Sequence, residues 1–366
     1  MKILVEEEAF SYYLTQEIIK KYPYEVIPTY EDFRWKAWAS QAELVSLGKR
    51  FLFLIRFKGR FFRDCPGTKN YLCCGYKIFH FAEGCLFDCT YCILQLYLNR
   101  PGIKLWANVV EDGFQELERV LNNARKEKRV LRIGTGEFAD SMVLEPFGGV
   151  SEKLINFWET LNPFAVLELK TKAFIKENYF KKFKSDPKII FAWSLNTPFI
   201  INTEEHGTSS LEQRIESARY AIKHGFTVAF HFDPIIFYEN AEAEYPQVLE
   251  KVLNAIPWEK IAWISLGALR YPKELKYIAE ERFPQTSIYA YEFIEGLDLK
   301  KRYFIDLRKK LFQSLAKIIK EVEDKITFYF CMEGERIWEE VLGKPLKSSN
   351  QVCQLLDQVA YRLCQS

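Results

Sequence analysis

The sequence predicts an α/β protein built on a partial (β/α)6 barrel of the TIM type, with an N-terminal extension at residues 1–75 and a C-terminal cap at residues 285–366. Three observations support this prediction. Short β-rich runs alternate with longer amphipathic stretches between residues 76 and 284, the β-rich runs carry polar residues on one face, and six of the nine cysteines cluster between Cys65 and Cys92. The alternation is typical of right-handed βαβ units around a parallel sheet.

The composition limits the class of protein. With 366 residues, 48% hydrophobic and 27% charged, the chain can bury a sizeable core, which excludes disorder. Lys and Arg total 51 and Asp and Glu 49, so any DNA contact must come from local patches. No uncharged apolar run is long enough to cross a membrane, and the start MKILVEEEAF lacks a secretory pattern. We therefore expect a cytoplasmic protein with no membrane partner, whose cysteines serve metal or redox chemistry.

Each β-rich run between residues 76 and 284 is followed by a helical pattern, which gives six units, two fewer than a closed eightfold barrel. The predicted strands are Lys77–Glu83, Val130–Gly136, Ala165–Lys172, Ile189–Asn196, Thr227–Ile236 and Lys260–Leu269. The predicted helices lie near 112–127, 150–161, 174–182, 210–224, 245–256 and 272–282.

Polar residues recur on one face of several predicted strands. Glu168, Lys170 and Lys172 share a side of the third strand, and His231 and Asp233 share a side of the fifth. A parallel sheet covered on both faces should instead be continuously apolar. The pattern therefore predicts a solvated cavity near the carboxyl ends of the strands, although a structural pairing of Glu168 with Lys170 is the alternative.

Cys85, Cys89 and Cys92 follow the first predicted strand with the spacing C-x3-C-x2-C. Three thiolates on so short a loop can each bind a different iron of a cubane cluster and leave the fourth iron open. A zinc site and simple burial of the thiols are the alternatives. Cys65, Cys73 and Cys74 could bind a second metal or line the cavity.

The loop resembles the cluster motif of the radical S-adenosylmethionine (SAM) superfamily, and within it the spore photoproduct lyase family. The resemblance covers roughly residues 60–340. It rests on GCLFDCTYCILQLYLN (84–99), Asn196, GTSSLEQRIESA (207–218), Phe230-x-x-Asp233-Pro234-Ile235, RYFIDLRKKL (302–311) and FCMEGERIWEEVLG (330–343). It implies one [4Fe–4S] cluster on Cys85, Cys89 and Cys92, SAM on the open iron, and a one-electron reductant such as flavodoxin or ferredoxin.

The resemblance also implies residues that bind SAM. Gly134, Gly136 and Glu137 match the segment that holds the SAM amine, with a plain strand-end turn as the alternative. Lys172 and Ser194 match residues that bind the carboxylate and ribose, Asn196 lies nearby, and Tyr91 matches the aromatic residue that touches the adenine. Each of these residues could instead have a structural role.

The implied activity is a DNA repair lyase that acts on UV pyrimidine photoproducts after SAM is cleaved to a 5′-deoxyadenosyl radical. The sequence departs from the family in its hydrogen-return path: Glu137 stands where the lyase has a donor cysteine, and Ile93 stands where it has a tyrosine. Cys331 is a candidate substitute donor, or else a buried inert cysteine. A radical SAM enzyme acting on a peptide or small molecule, and a non-catalytic Fe–S or zinc module, are the alternative functions.

Three basic runs are candidates for DNA contact or for solvated helix faces: Lys181-Lys182-x-Lys184, Lys300-Lys301-Arg302 and Arg308-Lys309-Lys310. In the family a segment after the barrel contacts DNA. Arg302-Tyr303-Phe304 combines charge with aromatic rings, which suits phosphate contact and base stacking. His80 and His231 are further candidates to face the cavity.

Overall fold

A computed structural model describes residues 1–33, 35, 39–98, 101–343 and 345–365. Its strands are β1 Lys2–Glu6, β2 Tyr24–Ile27, β3 Phe51–Ile55, β4 Phe62–Asp64, β5 Lys77–Phe79, β6 Ala82–Glu83, β7 Asp88–Cys89, β8 Ile103–Trp106, β9 Leu131–Gly134, β10 Ala165–Thr171, β11 Ile189–Ser194, β12 Glu205–His206, β13 Thr227–Ile235, β14 Ile261–Ala268, β15 Arg270–Tyr271, β16 Phe293–Glu295, β17 Lys301–Tyr303 and β18 Phe328–Phe330.

The α-helices are α1 Tyr13–Ile19, α2 Gln41–Gly48, α3 Leu94–Tyr97, α4 Phe114–Lys126, α5 Val150–Leu161, α6 Glu177–Phe180, α7 Pro198–Glu204, α8 Leu211–Lys223, α9 Ala241–Ala255, α10 Lys273–Arg282, α11 Ile305–Val322, α12 Glu335–Leu342 and α13 Ser349–Gln365. Among the described helices, none is both long and apolar enough to cross a membrane.

The predicted partial barrel is confirmed. Six parallel strands, β5, β9, β10, β11, β13 and β14, lie side by side in chain order, and each corresponds to a predicted strand. The sheet continues with β18, parallel to β14, and with β4, antiparallel to β5. The curled sheet therefore ends in two edges, with the C-terminal region supplying one of them.

Burial explains why these strands form. Every residue of β11 and of β14 is buried, because helices cover the outer face and the other face closes the interior of the barrel. Helix α8 begins at a capping box in which Ser210 accepts from the backbone of Gln213 and Gln213 accepts from that of Ser210. Alternating apolar strands and helical patterns are the local signals that made the core predictable.

A second sheet, in the order β2-β1-β3-β8-β6, forms an N-terminal layer beside the barrel. β1, β2, β3 and β8 are parallel, and β6 joins them antiparallel. β8 lies after the cysteine loop in sequence but pairs with β3, so the chain returns to this layer before it continues the barrel. The cysteine loop is consequently held between the two sheets.

Candidate active site

A cavity of about 340 Å³ opens where the parallel strands end. The cysteine loop forms one wall, the ends of β9, β10, β11 and β13 form the floor, and residues after β14, β16 and β18 close the third side. Its lining includes Cys65, Cys85, Cys89, Tyr91, Cys92, Gly136, Glu137, Asp140, Lys170, Lys172, Ser194, Asp233, Arg270, Lys300 and Met332. Most of the site residues predicted from sequence therefore face one space.

Cys85, Cys89 and Cys92 all line this cavity. Cys89 is buried in the short strand β7, and the amide of Cys92 donates to its carbonyl at 3.1 Å, which folds the loop back on itself. Burial, with a contribution from Asp140, raises the pKa of Cys85 to about 12, and burial also raises that of Cys89. Ligand binding by these thiols must release their protons, because metals are bound by thiolates.

Tyr91 lines the cavity with its ring, while its hydroxyl donates to Glu205 behind the wall. Glu205 is the cross-strand partner of Cys89 and also accepts from Asn196 at 2.8 Å and from Arg214 at 2.6 Å. Burial opposes ionisation of Glu205, but Arg214 and then Lys172 outweigh it and hold its pKa at about 2. These contacts fix the wall on which Tyr91 is presented.

Gly134 and Gly136, at the end of the second predicted strand, differ in role. A Cβ on Gly134 would lie 1.3 Å from the phenol oxygen of Tyr76, so Gly134 makes room for a buried side chain and does not line the cavity. Gly136 lines the cavity, and a Cβ there would lie 2.9 Å from that of Lys170. Asn196 is buried and, like Gly134, does not line the cavity. Its amide oxygen accepts from Tyr245 at 2.5 Å, and its amide nitrogen donates to Glu205.

Glu137, Lys172 and Ser194 all reach the cavity. The carboxylate of Glu137 accepts from Lys170 at 2.7 Å, and this pair lies in the cavity with each side chain about a quarter exposed. Lys172 lies over the ring of Tyr91 at 5.9 Å, where its ammonium can meet an anionic group beside an aromatic surface. The alternative pairing of Glu168 with Lys170 is not formed as a direct contact.

Behind Lys170, Glu168 is buried and lies 3.0 Å from Nε2 of His231, while Trp263 donates to its other oxygen at 2.9 Å. Burial opposes ionisation, but the histidine outweighs it and lowers the pKa of Glu168. His231 therefore faces a buried carboxylate. His80 also lies behind the lining, with its ring packed 4.7 Å from that of Phe138.

On the third side of the cavity, Arg270 is a residue that the sequence did not single out. Arg270 donates to both oxygens of Asp233 at 3.0 and 3.3 Å and to the sulfur of Cys331 at 3.3 Å. Burial, and then repulsion by Asp233, raises the pKa of Cys331 well above its usual range, which keeps it a thiol. Cys331 follows β18 and is not among the residues that line the cavity, although its neighbour Met332 is. Cys65, by contrast, lines the cavity directly.

The structure contradicts both alternatives, DNA contact and a solvated helix face, for Arg302, Tyr303 and Arg308, because all three are buried. Arg302 pairs with Asp298 at 2.7 Å, and Arg308 pairs with Glu333. Each guanidinium thus ties together segments of the C-terminal region. The partner of Arg308 could not be read from the basic run, because Glu333 follows β18 and lies 25 residues further along the chain, whereas Asp298 lies only four residues before Arg302.

Strands β16 and β17 form a hairpin beside the cavity mouth. Lys300 precedes β17 and lines the cavity. Its Nζ lies 3.9 Å from a carboxylate oxygen of Asp298. The carboxylate of Asp298 also accepts from Arg302 and Thr68. The turn exposes Leu297 and Leu299, whose surfaces are 70% and 73% accessible. The hairpin therefore combines a lysine at the cavity with an exposed apolar tip.

A sequence profile for the family described as spore photoproduct lyase matches residues 69–305. The chain belongs to the spore photoproduct lyase family. A spore photoproduct lyase of Clostridium acetobutylicum is 29% identical over 234 residues, 62% of this chain and 64% of that protein. One from Bacillus subtilis is 26% identical over 215 residues, 57% of this chain and 60% of that protein. The chain thus matches less than two thirds of the length of these relatives.

Solved structures of the family share the fold. A spore photoproduct lyase variant with bound AdoMet and dinucleoside spore photoproduct gives a TM-score of 0.76 at 21% identity, covering 90% of this chain and 98% of that one. The lyase complexed with dinucleoside spore photoproduct gives 0.74 with the same coverage. The fold is therefore shared over most of the length of the chain.

Proposed function

We propose that this protein is a radical SAM enzyme that acts as a DNA repair lyase on UV pyrimidine photoproducts. One observation carries the proposal: three cysteines with cluster spacing and the matched SAM-binding residues Gly136, Glu137, Lys172 and Ser194 line a single cavity at the strand ends. Membership of the spore photoproduct lyase family supports the same reaction class.

The donor set fits the cofactors. Cys85, Cys89 and Cys92 would hold a [4Fe–4S] cluster, and three ligands leave an iron for SAM. Glu137 would accept from the SAM amine, and Lys172 and Ser194 would bind its carboxylate and ribose. Reductive cleavage of bound SAM would supply a 5′-deoxyadenosyl radical that abstracts a hydrogen atom from the substrate.

The residues around SAM would orient it and exclude water. Tyr91 presents its ring to the cavity because its hydroxyl is held by Glu205, so it can pack on the adenine. The ion pair with Lys170 lowers the free-energy cost of holding the charged carboxylate of Glu137 in the cavity. Gly134 and Asn196 would act at a distance, by admitting Tyr76 and by supporting Glu205.

DNA is the substrate that we favour. Lys300 reaches the cavity from the β16–β17 hairpin, where an ammonium can meet a phosphate, and the exposed Leu297 and Leu299 offer an apolar surface for unstacked bases. Solved structures of the lyase contain dinucleoside spore photoproduct, which supports a pyrimidine adduct in this family. A peptide or small molecule is the competing substrate. We expect a one-electron reductant such as flavodoxin or ferredoxin as electron donor, and a cytoplasmic location.

The test starts with anaerobic reconstitution of the purified chain. We expect a brown protein with about four irons per chain that forms 5′-deoxyadenosine from SAM and dithionite. The Cys85→Ala variant should lose both properties. If the wild-type protein shows no cluster and no 5′-deoxyadenosine, the radical SAM assignment fails.

UV-irradiated DNA then tests the substrate. A deuterium-labelled pyrimidine adduct should transfer label to 5′-deoxyadenosine and disappear from the DNA, whereas unirradiated DNA should do neither. Turnover of SAM without label transfer from any irradiated DNA would favour the peptide or small-molecule alternative.

Cys331 is our candidate for the hydrogen-atom donor that replaces the missing cysteine and tyrosine. Its sulfur stays protonated beside Arg270 and Asp233, and a thiol, unlike the carboxylate of Glu137, can donate a hydrogen atom. We predict that Cys331→Ala still forms 5′-deoxyadenosine but loses most repaired product, measured by chromatography of digested DNA. Cys65→Ala is the comparison, because Cys65, unlike Cys331, lines the cavity directly. Loss of product only in Cys65→Ala would move the role away from Cys331.

A further inference from the structure

The outer side of the cysteine loop is held by a lysine of the N-terminal layer. Nζ of Lys49, the residue that follows α2, donates to the carbonyl oxygens of Cys85 at 2.7 Å and Phe87 at 2.5 Å. It also lies 3.3 Å from a carboxylate oxygen of Asp88. The ammonium therefore makes two hydrogen bonds and one ion pair with this one loop.

Two further side chains brace the same loop. Gln95 donates to the carbonyl oxygens of Cys89 at 3.3 Å and Thr90 at 2.9 Å. Arg282 of α10 holds both carboxylate oxygens of Asp88, at 2.8 and 2.7 Å. Backbone carbonyls between the cluster cysteines are thus taken up by outside groups while the three thiols line the cavity.

The position of Lys49 is itself fixed. Helix α2 begins at a capping box between Ser40 and Glu43. It ends at Gly48, where a Cβ would lie only 2.5 Å from the backbone nitrogen of Gly102, so the end of the helix packs tightly on the chain that enters β8. Lys49 therefore reaches the cysteine loop from a rigid support.

Lys49 lies outside the main cavity. With Cys85 and Cys92 it lines a separate small cavity of about 30 Å³ between α2 and the loop. Its contacts with the loop are to backbone carbonyls and to Asp88, so a role in binding SAM or substrate does not explain them.

We propose that Lys49 is a positioning residue for the iron–sulfur cluster, which holds the backbone from Cys85 to Asp88 in the shape that presents the thiols. Its positive charge also favours the reduced cluster, since reduction adds a negative charge nearby. This inference rests on the proposed function, because it requires a cluster on this loop.

The test compares Lys49→Met with Lys153→Met. Lys49 and Lys153 have nearly equal side-chain exposure, 25% and 24%, and each pairs with one carboxylate, but Lys153 contacts Glu17 instead of the loop. We expect reconstituted Lys49→Met to release iron to a chelator about tenfold faster than wild type, because outer-shell partners typically contribute that much. Its cluster should also have a more negative midpoint potential in an EPR-monitored titration.

The apo-protein gives an independent measure. Hydrogen–deuterium exchange of the segment 84–92 should be faster in Lys49→Met and unchanged in Lys153→Met. Lys49→Arg keeps the charge and several donors, so it should retain iron and midpoint potential close to wild type.

Wild-type iron release together with wild-type exchange in Lys49→Met would overturn the proposal, as would an Arg variant as defective as the Met variant. Failure of the wild-type protein to bind any cluster would instead overturn the proposed function. The exchange experiment on apo-protein separates these two failures, because it requires no metal.

Discussion

Two ion pairs, one behind the cavity wall and one in the cavity, differ in their surroundings. Behind the wall, Arg214 and Glu205 are both 0% exposed and hold Tyr91 and Asn196 through shared hydrogen bonds. In the cavity, Lys170 and Glu137 are 22% and 28% exposed and face the space where a ligand would bind. The buried pair supports the wall, and the accessible pair is free to exchange partners. We therefore expect mutations behind the wall to change stability and mutations on its surface to change ligand binding.

The largest expected effect follows from breaking the buried pair. Arg214→Met leaves the carboxylate of Glu205 buried without its main partner, so the free energy of unfolding should fall by about 3–5 kcal/mol. Urea denaturation measures this loss. As a control, Lys251→Met breaks a pair with Glu212 that is at least half exposed and should cost only about 0.2–1 kcal/mol. Equal losses in the two variants would contradict the distinction.

A second prediction concerns His80, whose ring is buried behind Phe138. Burial, reinforced by Arg63 and Lys104, lowers the pKa of His80 to about 3. The unfolded chain takes up a proton near pH 6.5 and the folded chain does not, so this contribution to stability is complete above that pH and is lost progressively toward pH 3. At pH 5 the loss should reach about 2 kcal/mol relative to pH 7.5.

Urea denaturation at the two pH values, on wild type and His80→Phe, measures the contribution. The Phe variant should lose about 2 kcal/mol less between pH 7.5 and pH 5, whatever its absolute stability. An unchanged pH dependence in His80→Phe would show that His80 is not the group that titrates.

The smallest effect on stability is expected at the surface of the wall. Glu137→Gln removes one charge of a partly solvated pair and should change the free energy of unfolding by less than about 1 kcal/mol. Loss of a charge-assisted hydrogen bond should nevertheless weaken SAM binding about tenfold, measured by equilibrium dialysis of the reconstituted protein. Glu152→Gln, which breaks an ion pair with Lys182 outside the cavity lining, should leave SAM affinity unchanged. Equal SAM affinities in the two variants would contradict the proposed role of Glu137 in binding SAM.

The six barrel strands were predictable because their signal is local: each apolar run is flanked by a helical pattern, and parallel neighbours follow chain order. The polar faces of the third and fifth strands, β10 and β13, were predictable for the same reason, since alternation assigns a side to each residue. Lys170, Lys172 and Asp233 do line the cavity. The strand β8 was missed because its partner β3 precedes the cysteine loop by many residues.

Individual side chains were harder to predict than strands. Glycine at a strand end fits a ligand-binding turn equally well at Gly134 and Gly136, and only the neighbouring Tyr76 separates the two. Similarly, Asn196 lies one strand period from Ser194, but it follows the end of β11 and bonds to Glu205 behind the wall. The local sequence pattern shows neither difference.

By itself the sequence determined the barrel order, the spacing of the three cluster cysteines and the polar sides of the strands, because each depends on residues close together along the chain. The tertiary structure alone decided that Arg308 is buried in an ion pair with Glu333 and that Lys49 reaches the cysteine loop. The physical reason is that the partner of a charged side chain is chosen by packing between distant segments, whereas its charge is all that the sequence displays.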